Sequence, residues 1–511
     1  MCFAVPPGGF SNEPLNDFQM IKFLRYENGE LLLGLEDGDS DEPAGRLKEA
    51  SIIAIYRENA RGGLDSEGEY YIYSLVEDAP DTPFKVLTSH VVNQLPRDIL
   101  DKYLITSIPD HLKCDATHRL TVVVSTHSGV HQAEAFYNCV LKGLLGQSGL
   151  KEATEWSPDR DQDKYELILT KSDQTVRDLG KQLSNPSTTG QARTIVLLSG
   201  DGGVVDLING EDEADGVPSG RRPTIILLPF GTGNALFHSL HKPLYASSTI
   251  AQSPYVLGLR TLLRGVPAPL PTFEATFAPG SRLISYSDGD QEEGGEEEEE
   301  EEEQRRSVSR LAGAIVASYG FHASLVWESD TPAYRKHGAA RFQMAAGELL
   351  GLGHGYEADV EVRAPGGPGG AGEWTRLGGG EGDRFGYVLA TLVSSLEKTF
   401  TISPDSRPLD GKLRLVTFGD VGGERTMDVM KAAYDNGGHV GMKWAGEGGR
   451  EERVGYQEVE EVRVTVREED ARWRKVCVDG TIVEVPGRGG WMRVRTVPES
   501  RYDVIVDKSV V

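Results

Sequence analysis

Two glycine-rich loops, each following an apolar run and preceding a helix-like stretch, constrain this chain more than anything else in it. The first closes Thr194-Ile-Val-Leu-Leu-Ser-Gly-Asp-Gly-Gly203 and the second lies in Thr224-Ile-Ile-Leu-Leu-Pro-Phe-Gly-Thr-Gly-Asn-Ala235, with the two runs starting thirty residues apart. One βα unit fits that interval, so the loops fall side by side at the carboxyl edge of a parallel sheet. Backbone amides and helix N-termini face the crevice there, and phosphates suit it best. Neither loop is a Gly-x-x-x-x-Gly-Lys-Ser/Thr phosphate loop or a dinucleotide Gly-x-Gly-x-x-Gly. Asp201 is the odd member. A carboxylate beside a phosphate cradle is unfavourable unless it faces a metal ion or takes a proton from a hydroxyl about to be phosphorylated.

Ser199-Gly200-Asp201-Gly202-Gly203, followed by Asp206, Asn209 and Gly210, resembles the Gly-Asp-Gly-x-x-x-Glu-x-x-Asn-Gly signature of the diacylglycerol kinase catalytic-domain family, which includes sphingosine and ceramide kinases. Pro229-Phe-Gly-Thr-Gly-Asn-Ala235 is similar to its second signature. Gly320-Phe-His-Ala-Ser-Leu-Val-Trp-Glu-Ser329, with Tyr334-Arg335, Gly338 and Arg341-Phe342, resembles the sphingosine kinase segment that carries two phosphate-binding arginines. The resemblance spans about Leu120 to Glu484 and covers the first 115 residues only loosely.

The net charge of −26 argues against a nucleic-acid partner and against strong electrostatic attachment to anionic membranes. Part of that charge is local: Glu296 to Glu303 is an unbroken glutamate run inside an acidic stretch at 285–308, read as a solvated, disordered insertion. Four scattered cysteines, Cys2, Cys114, Cys139 and Cys477, fit a reducing compartment and make neither a disulfide framework nor a zinc site. No run approaches the ~20 apolar residues that span a bilayer, and the opening Met-Cys-Phe-Ala-Val-Pro-Pro lacks the features of a signal peptide. The expectation is a cytoplasmic protein, peripheral on intracellular membranes, without a transmembrane segment.

Residues 1–115 alternate short β-like runs (Leu31 to Leu35, Ala50 to Tyr56, Tyr70 to Leu75, Phe84 to Leu87) with polar turns, and Val91 to Leu104 has helical apolar spacing. This predicts a small β-rich module. In the resembled family such a segment can be of pleckstrin-homology type; a structural extension of the catalytic core is the other reading. From 116 to 265, strand-like runs at Leu120 to Val124, Tyr165 to Thr170, Thr194 to Leu198 and Thr224 to Leu228 alternate with helical stretches at Gln132 to Leu145 and Thr175 to Leu183. That pattern predicts a parallel sheet covered on both faces. The resemblance implies an α/β nucleotide-binding domain of the NAD-kinase and diacylglycerol-kinase type. Residues 266–511 show short runs such as Ala314 to Ser318, Phe385 to Leu389, Leu413 to Val416, Glu461 to Val466 and Val476 to Val478, with glycine-rich loops at 366–382 and 436–449. Strands without helices predict an antiparallel β-sandwich, which in the family holds the lipid acyl chain.

Asp201 is assigned the general base on the substrate hydroxyl, against the alternative of a turn or helix-capping aspartate. Asp206 is open between a magnesium ligand and a packing residue. The resemblance places the nucleotide against Ser199, Gly200, Gly202 and Gly203 in the first loop and Gly231, Thr232, Gly233 and Asn234 in the second. Ser125-Thr-His-Ser-Gly129 occupies the family's Asn-Pro-x-Ser/Gly-Gly phosphate loop without the Asn-Pro, leaving Ser128 and Gly129 as its candidates, and Thr170 resembles a family position near the nucleotide. Arg335 and Arg341 are read as transition-state phosphate clamps, against solvated surface arginines; His322 is read as a packed or surface histidine. Ser324 and Val326 stand where sphingosine kinases carry aspartates, the second of which contacts the sphingoid head group. Asp479-Gly480-Thr481 stands where the family has Asp-Gly-Glu near the nucleotide, with a hairpin turn as the other reading and Glu484 as a substitute for the missing glutamate.

The resulting expectation is an ATP- and Mg²⁺-dependent lipid kinase acting on a membrane-lipid hydroxyl, with a sphingoid base as first-choice substrate and diacylglycerol or ceramide second. Its rivals are a soluble-substrate kinase of the NAD kinase type and a catalytically weak regulator that binds nucleotide or lipid.

Overall fold

The β-branched and leucine-rich runs that predict buried parallel strands do form them. Strands His118–Val124, Lys164–Leu169, Ala192–Ser199 and Thr224–Pro229 lie parallel, with Ile195 opposite Ile225 and Val122 opposite Val196; the three strands other than Lys164–Leu169 are mostly buried. In the computed structural model the described residues are 20–35, 43–58, 69–79, 82–153, 163–172, 174–184, 191–210, 221–247, 251–286, 307–338, 340–366, 372–378, 383–446 and 451–511. The acidic run, Cys2 and parts of both glycine-rich loops of the C-terminal half lie outside them.

In this seven-stranded sheet His118–Val124 sits between Ala192–Ser199 on one side and Lys164–Leu169 on the other. The chain therefore reverses its winding direction between His118–Val124 and Ala192–Ser199, and the loops leaving those two strands flank the crevice that such a reversal opens. The sheet also crosses the boundary expected at 265. Asp503–Val506 pairs parallel with Thr224–Pro229 and antiparallel with the edge strand Val266–Pro269, so the last strand of the sequence is inserted between them.

Most strands of the second half join one 13-stranded antiparallel sheet, in keeping with the antiparallel, sandwich-like domain expected there. Four of the five strand-like runs named above overlap strands by nearly their whole length, and Glu461–Val466 matches residue for residue. The expectation of strands without helices is corrected: Phe321–Ser329, Ala340–Leu352 and Gly422–Tyr434 are helical. Gly422–Tyr434 buries Thr426, Val429 and Ala433, a 3–4 spacing hidden behind its opening glycines.

Before the parallel sheet lies a six-stranded sheet ordered Gly45–Lys48, Glu30–Leu35, Ile21–Glu27, Thr82–Val91, Tyr70–Ala79, Ile52–Arg57. The helix expected over 91–104 shrinks to Arg97–Tyr103. Val91 ends a strand, and Pro96 disfavours helical backbone in Leu95 while opening the helix behind it. One face of this sheet shares a hydrophobic core with the parallel domain, through Ile53, Tyr73, Leu75, Phe84 and Val86.

Candidate functional site

Each strand of the parallel sheet delivers its loop to one edge, and backbone contact binds the loops together. Gly200 and Gly231 face each other so closely that a Cβ on Gly200 would stand 2.7 Å from the Gly231 Cα. Only glycine fits at either position. Gly129 has φ +54°, and a side chain there would collide with the Phe230 carbonyl. Ser128 Oγ lies 2.6 Å from Ser125 Oγ and 3.3 Å from Ser199 Oγ, which joins the 125–129 loop to the Ser199-Gly200 loop. Thr170 is buried, accepts the Thr126 amide at 3.0 Å and receives the Thr126 hydroxyl on its carbonyl at 2.9 Å, so it acts on the first loop from behind. Asn234 takes φ 53° and closes its own turn, accepting Gly231 N and donating to Gly231 O at 2.8 Å each. Thr232 and Gly202 are exposed, Gly233 is half-buried, and Gly203 is buried against Ser199.

Asp201 opens helix Asp201–Ile208, yet its carboxylate reaches to the neighbouring helix Ala235–Ser247. Oδ2 accepts Ala235 N at 2.7 Å and Oδ1 accepts Leu236 N at 3.1 Å. Two helix N-termini, each carrying about half a positive charge, thus converge on one carboxylate. Burial raises its proton affinity above that of an ordinary carboxyl, and the two amides oppose that rise.

Asp479 belongs to the other sheet. It occupies the turn of the hairpin Lys475–Val478/Thr481–Glu484, with φ 47° followed by Gly480 at 90°, so the turn reading is met. The turn also aims the side chain back into the protein, where it accepts Ala314 N at 2.6 Å, Ile315 N at 3.1 Å and Val316 N at 2.5 Å. Burial pushes this carboxyl up to about 7, the amides of 314–316 pull it down, and the Asp201 charge adds to the rise. Asn209 ties the junction of the two sheets, accepting Ala312 N and donating to Ala312 O at 2.8 and 2.9 Å.

The remaining candidates divide. Arg335 and Arg341 come together on a residue the sequence reading missed: Asp330 accepts Arg335 Nη2 at 2.8 Å and Arg341 Nη1 at 2.9 Å. Its signal was an acid immediately before Thr331-Pro332, where Thr331 caps the short helix that carries Arg335. Asp206 forms an ion pair with Arg177 at 3.7 Å, which favours the packing role of the two left open. Glu484 is held by Arg282 and Arg474. His322 is packed: Nδ1 lies 2.8 Å from Ser318 Oγ, and burial lowers its pKa to about 4. Ser324 is buried and hydrogen-bonds Tyr356, while Val326 packs in a small apolar cluster with Ala323, Trp327, Cys477 and Ile482.

Residues 119–255 match the family model of the diacylglycerol kinase catalytic domain. That match makes the chain an enzyme of the lipid-kinase class. No curated protein matches the chain by sequence. Among solved structures it is similar to a diacylglycerol kinase from Bacillus anthracis str. Sterne, at 13% identity over 77% of this chain and 98% of that one, with a TM-score of 0.43. A second structure, of a diacylglycerol kinase candidate from the same strain, gives the same identity and coverage with a TM-score of 0.45. No helix among the described residues is long and apolar enough to cross a membrane.

Proposed function

We propose that this chain uses ATP to phosphorylate a hydroxyl of a neutral membrane lipid, diacylglycerol or ceramide. The observation that carries the proposal is Asp201, a carboxylate held between two helix N-termini at the crevice of a domain that matches the family model. Each of its oxygens accepts one amide and keeps a further lone pair for a substrate hydroxyl. A proton affinity raised above the ordinary carboxyl suits a general base that must take a proton near neutral pH.

The backbone of Ser128-Gly129, Ser199 to Gly203 and Gly231 to Asn234 holds the nucleotide phosphates, and Arg335 and Arg341 steady the transferring group once it draws them from Asp330. Mg²⁺ takes one or two carboxylates beside phosphate oxygens and water. Asp201, whose oxygens each keep a lone pair beside the loops, would supply one such carboxylate, while Asp479 is taken up by the amides of 314–316. When bound with the nucleotide, the ion supplies charge neutralisation for the phosphates. Asp479 positions the 314–316 backbone against the crevice.

The neutral acceptor is favoured over the sphingoid base by the surroundings of Ser324 and Val326. A sphingoid ammonium needs a carboxylate partner, and Val326 presents an apolar cluster instead. The nearby acid on the same helix, Glu328, is engaged by Arg472 at 3.3 Å. The sphingoid reading keeps the support of the Gly320-Phe-His-Ala motif. Because the acceptor resides in a bilayer, the enzyme works peripherally on an intracellular membrane from the cytoplasm.

Radiolabelled ATP offered with vesicles containing diacylglycerol, ceramide or sphingosine tests the assignment. Label on diacylglycerol or ceramide is the expected result. Label on sphingosine alone overturns the neutral-lipid reading, and nucleotide binding without label on any lipid favours the regulator.

A further inference from the structure

Phe84 belongs to strand Thr82–Val91 of the N-terminal sheet and is buried, but its ring lies among residues of the parallel domain. It stands edge-on to Phe136 at 5.0 Å, to Tyr255 at 5.1 Å and to Phe230 at 6.3 Å between ring centres. Those three also meet one another, at 4.9 Å for Phe136 and Phe230, 5.1 Å for Phe230 and Tyr255, and 5.6 Å for Phe136 and Tyr255. Phe136 and Tyr255 lie on elements next to the proposed phosphate loops. Phe136 ends helix Ala133–Phe136, just after the 125–129 loop. Tyr255 lies in helix Pro254–Arg264, which packs on strand Thr224–Pro229.

Phe230 is the hub. Its amide donates to the Ser199 carbonyl at 3.0 Å, its own carbonyl is the atom that leaves no room for a side chain at Gly129, and Gly231 follows it directly. One residue thus touches all three loops through its backbone, while its ring is fixed partly by the N-terminal sheet. The sheet itself has little freedom to move. Arg260, from the same helix as Tyr255, donates to the carbonyls of Ile52 at 2.8 Å and Glu49 at 2.9 Å, and its guanidinium lies 4.7 Å from the centre of the Tyr103 ring. Edge-to-face aromatic packing is directional, so displacing one ring changes where its neighbours sit.

We propose that the N-terminal sheet is an integral part of the nucleotide site, with Phe84 the positioning residue that sets the three phosphate loops through Phe230. The inference rests on the kinase reading above and adds to it a role for the N-terminal sheet. Loops misplaced by a fraction of an ångström hold phosphates less well, and binding suffers before folding does.

Calorimetric titration of the full chain with ADP tests this without any lipid. Phe84→Leu keeps the site apolar and removes the ring, and Phe84→Ala removes both. Phe84→Leu is expected to weaken ADP binding by roughly ten-fold, and Phe84→Ala by more. Ile72→Ala is the control, a fully buried residue of the same sheet that faces its other core. It is expected to lower the melting temperature while leaving ADP affinity within roughly two-fold of wild type. If Phe84→Ala does not fold, Phe84→Leu alone decides. Unchanged ADP affinity in Phe84→Leu, beside a wild type that binds, overturns the positioning role and leaves the kinase reading standing. An equal loss in Ile72→Ala overturns it as well. A wild-type chain that binds neither ADP nor ATP overturns the kinase reading itself, and the positioning role with it.

Discussion

The carboxylate of Asp201 accepts the Ala235 amide at 2.7 Å, so the residue we propose as the base also closes the N-terminus of the helix that follows the second glycine loop. On that proposal, catalysis and local architecture share one side chain. Asp201→Asn is expected to lower lipid phosphorylation by about 10²–10⁴, because an amide cannot accept the hydroxyl proton. It should also destabilise the chain by roughly 1–3 kcal/mol, since the new NH₂ group faces a backbone N–H. Turnover and urea unfolding are measured together. Turnover within a few-fold of wild type removes the base assignment, and unchanged unfolding removes the capping role.

Arg335 and Arg341 offer the opposite separation of effects. Both pair with Asp330 while a fifth to two-fifths of each side chain stays in water. Ion pairs this exposed contribute about 0–1 kcal/mol, so Arg335→Ala and Arg341→Ala should barely move the melting temperature. Each is expected to reduce turnover by roughly ten-fold or more as a phosphate ligand. Variants that melt early and still turn over normally would make them structural surface arginines.

Asp479 makes stability depend on pH in an uncommon direction. Its folded pKa of about 7 lies above the ordinary 3.8, so the folded chain holds this proton more tightly than the unfolded one. The contribution is complete below about pH 4 and is lost as pH rises through 7, with an upper bound of roughly 4 kcal/mol. Wild type should lose more stability between pH 5 and pH 8 than Asp479→Asn does, as read from urea midpoints. Parallel losses in the two chains would show that Asp479 is already ionised at the lower pH.

Val326→Asp places a carboxylate where the sphingosine-type motif has one. The ratio of sphingosine to diacylglycerol phosphorylation is expected to rise, because the new charge pairs only with a cationic head group and is an unpaired cost beside a neutral one. Parallel titrations of both lipids on both chains measure it. Equal changes for the two lipids mean that position 326 does not face the head group.

Much of this architecture was legible because its signals are local. Runs rich in β-branched residues and leucine marked the parallel strands, and glycines bounded the loops, since two backbones in contact leave no alternative residue at Gly200 and Gly231. What stayed hidden depends on partners distant in the chain. Nothing near Asp201 announces that its oxygens serve Ala235 and Leu236, and nothing near Asp479 points to the amides of 314–316. Asp330 went unnoticed because an acid beside a helix cap is ordinary until two arginines are seen to close on it. The helices of the second half were missed for a different reason: Phe321–Ser329 is apolar on several sides, which blurs the one-sided pattern that identifies a helix.

Strand Asp503–Val506, lodged beside Thr224–Pro229, has a consequence for how the chain is made. A ribosome delivers the parallel-sheet half first, with one border of its sheet unpaired, and more than two hundred further residues must emerge before that border is filled. An unpaired strand edge is a template for wrong partners. The nascent protein therefore passes through an interval in which its parallel sheet is nearly complete but keeps an open strand edge.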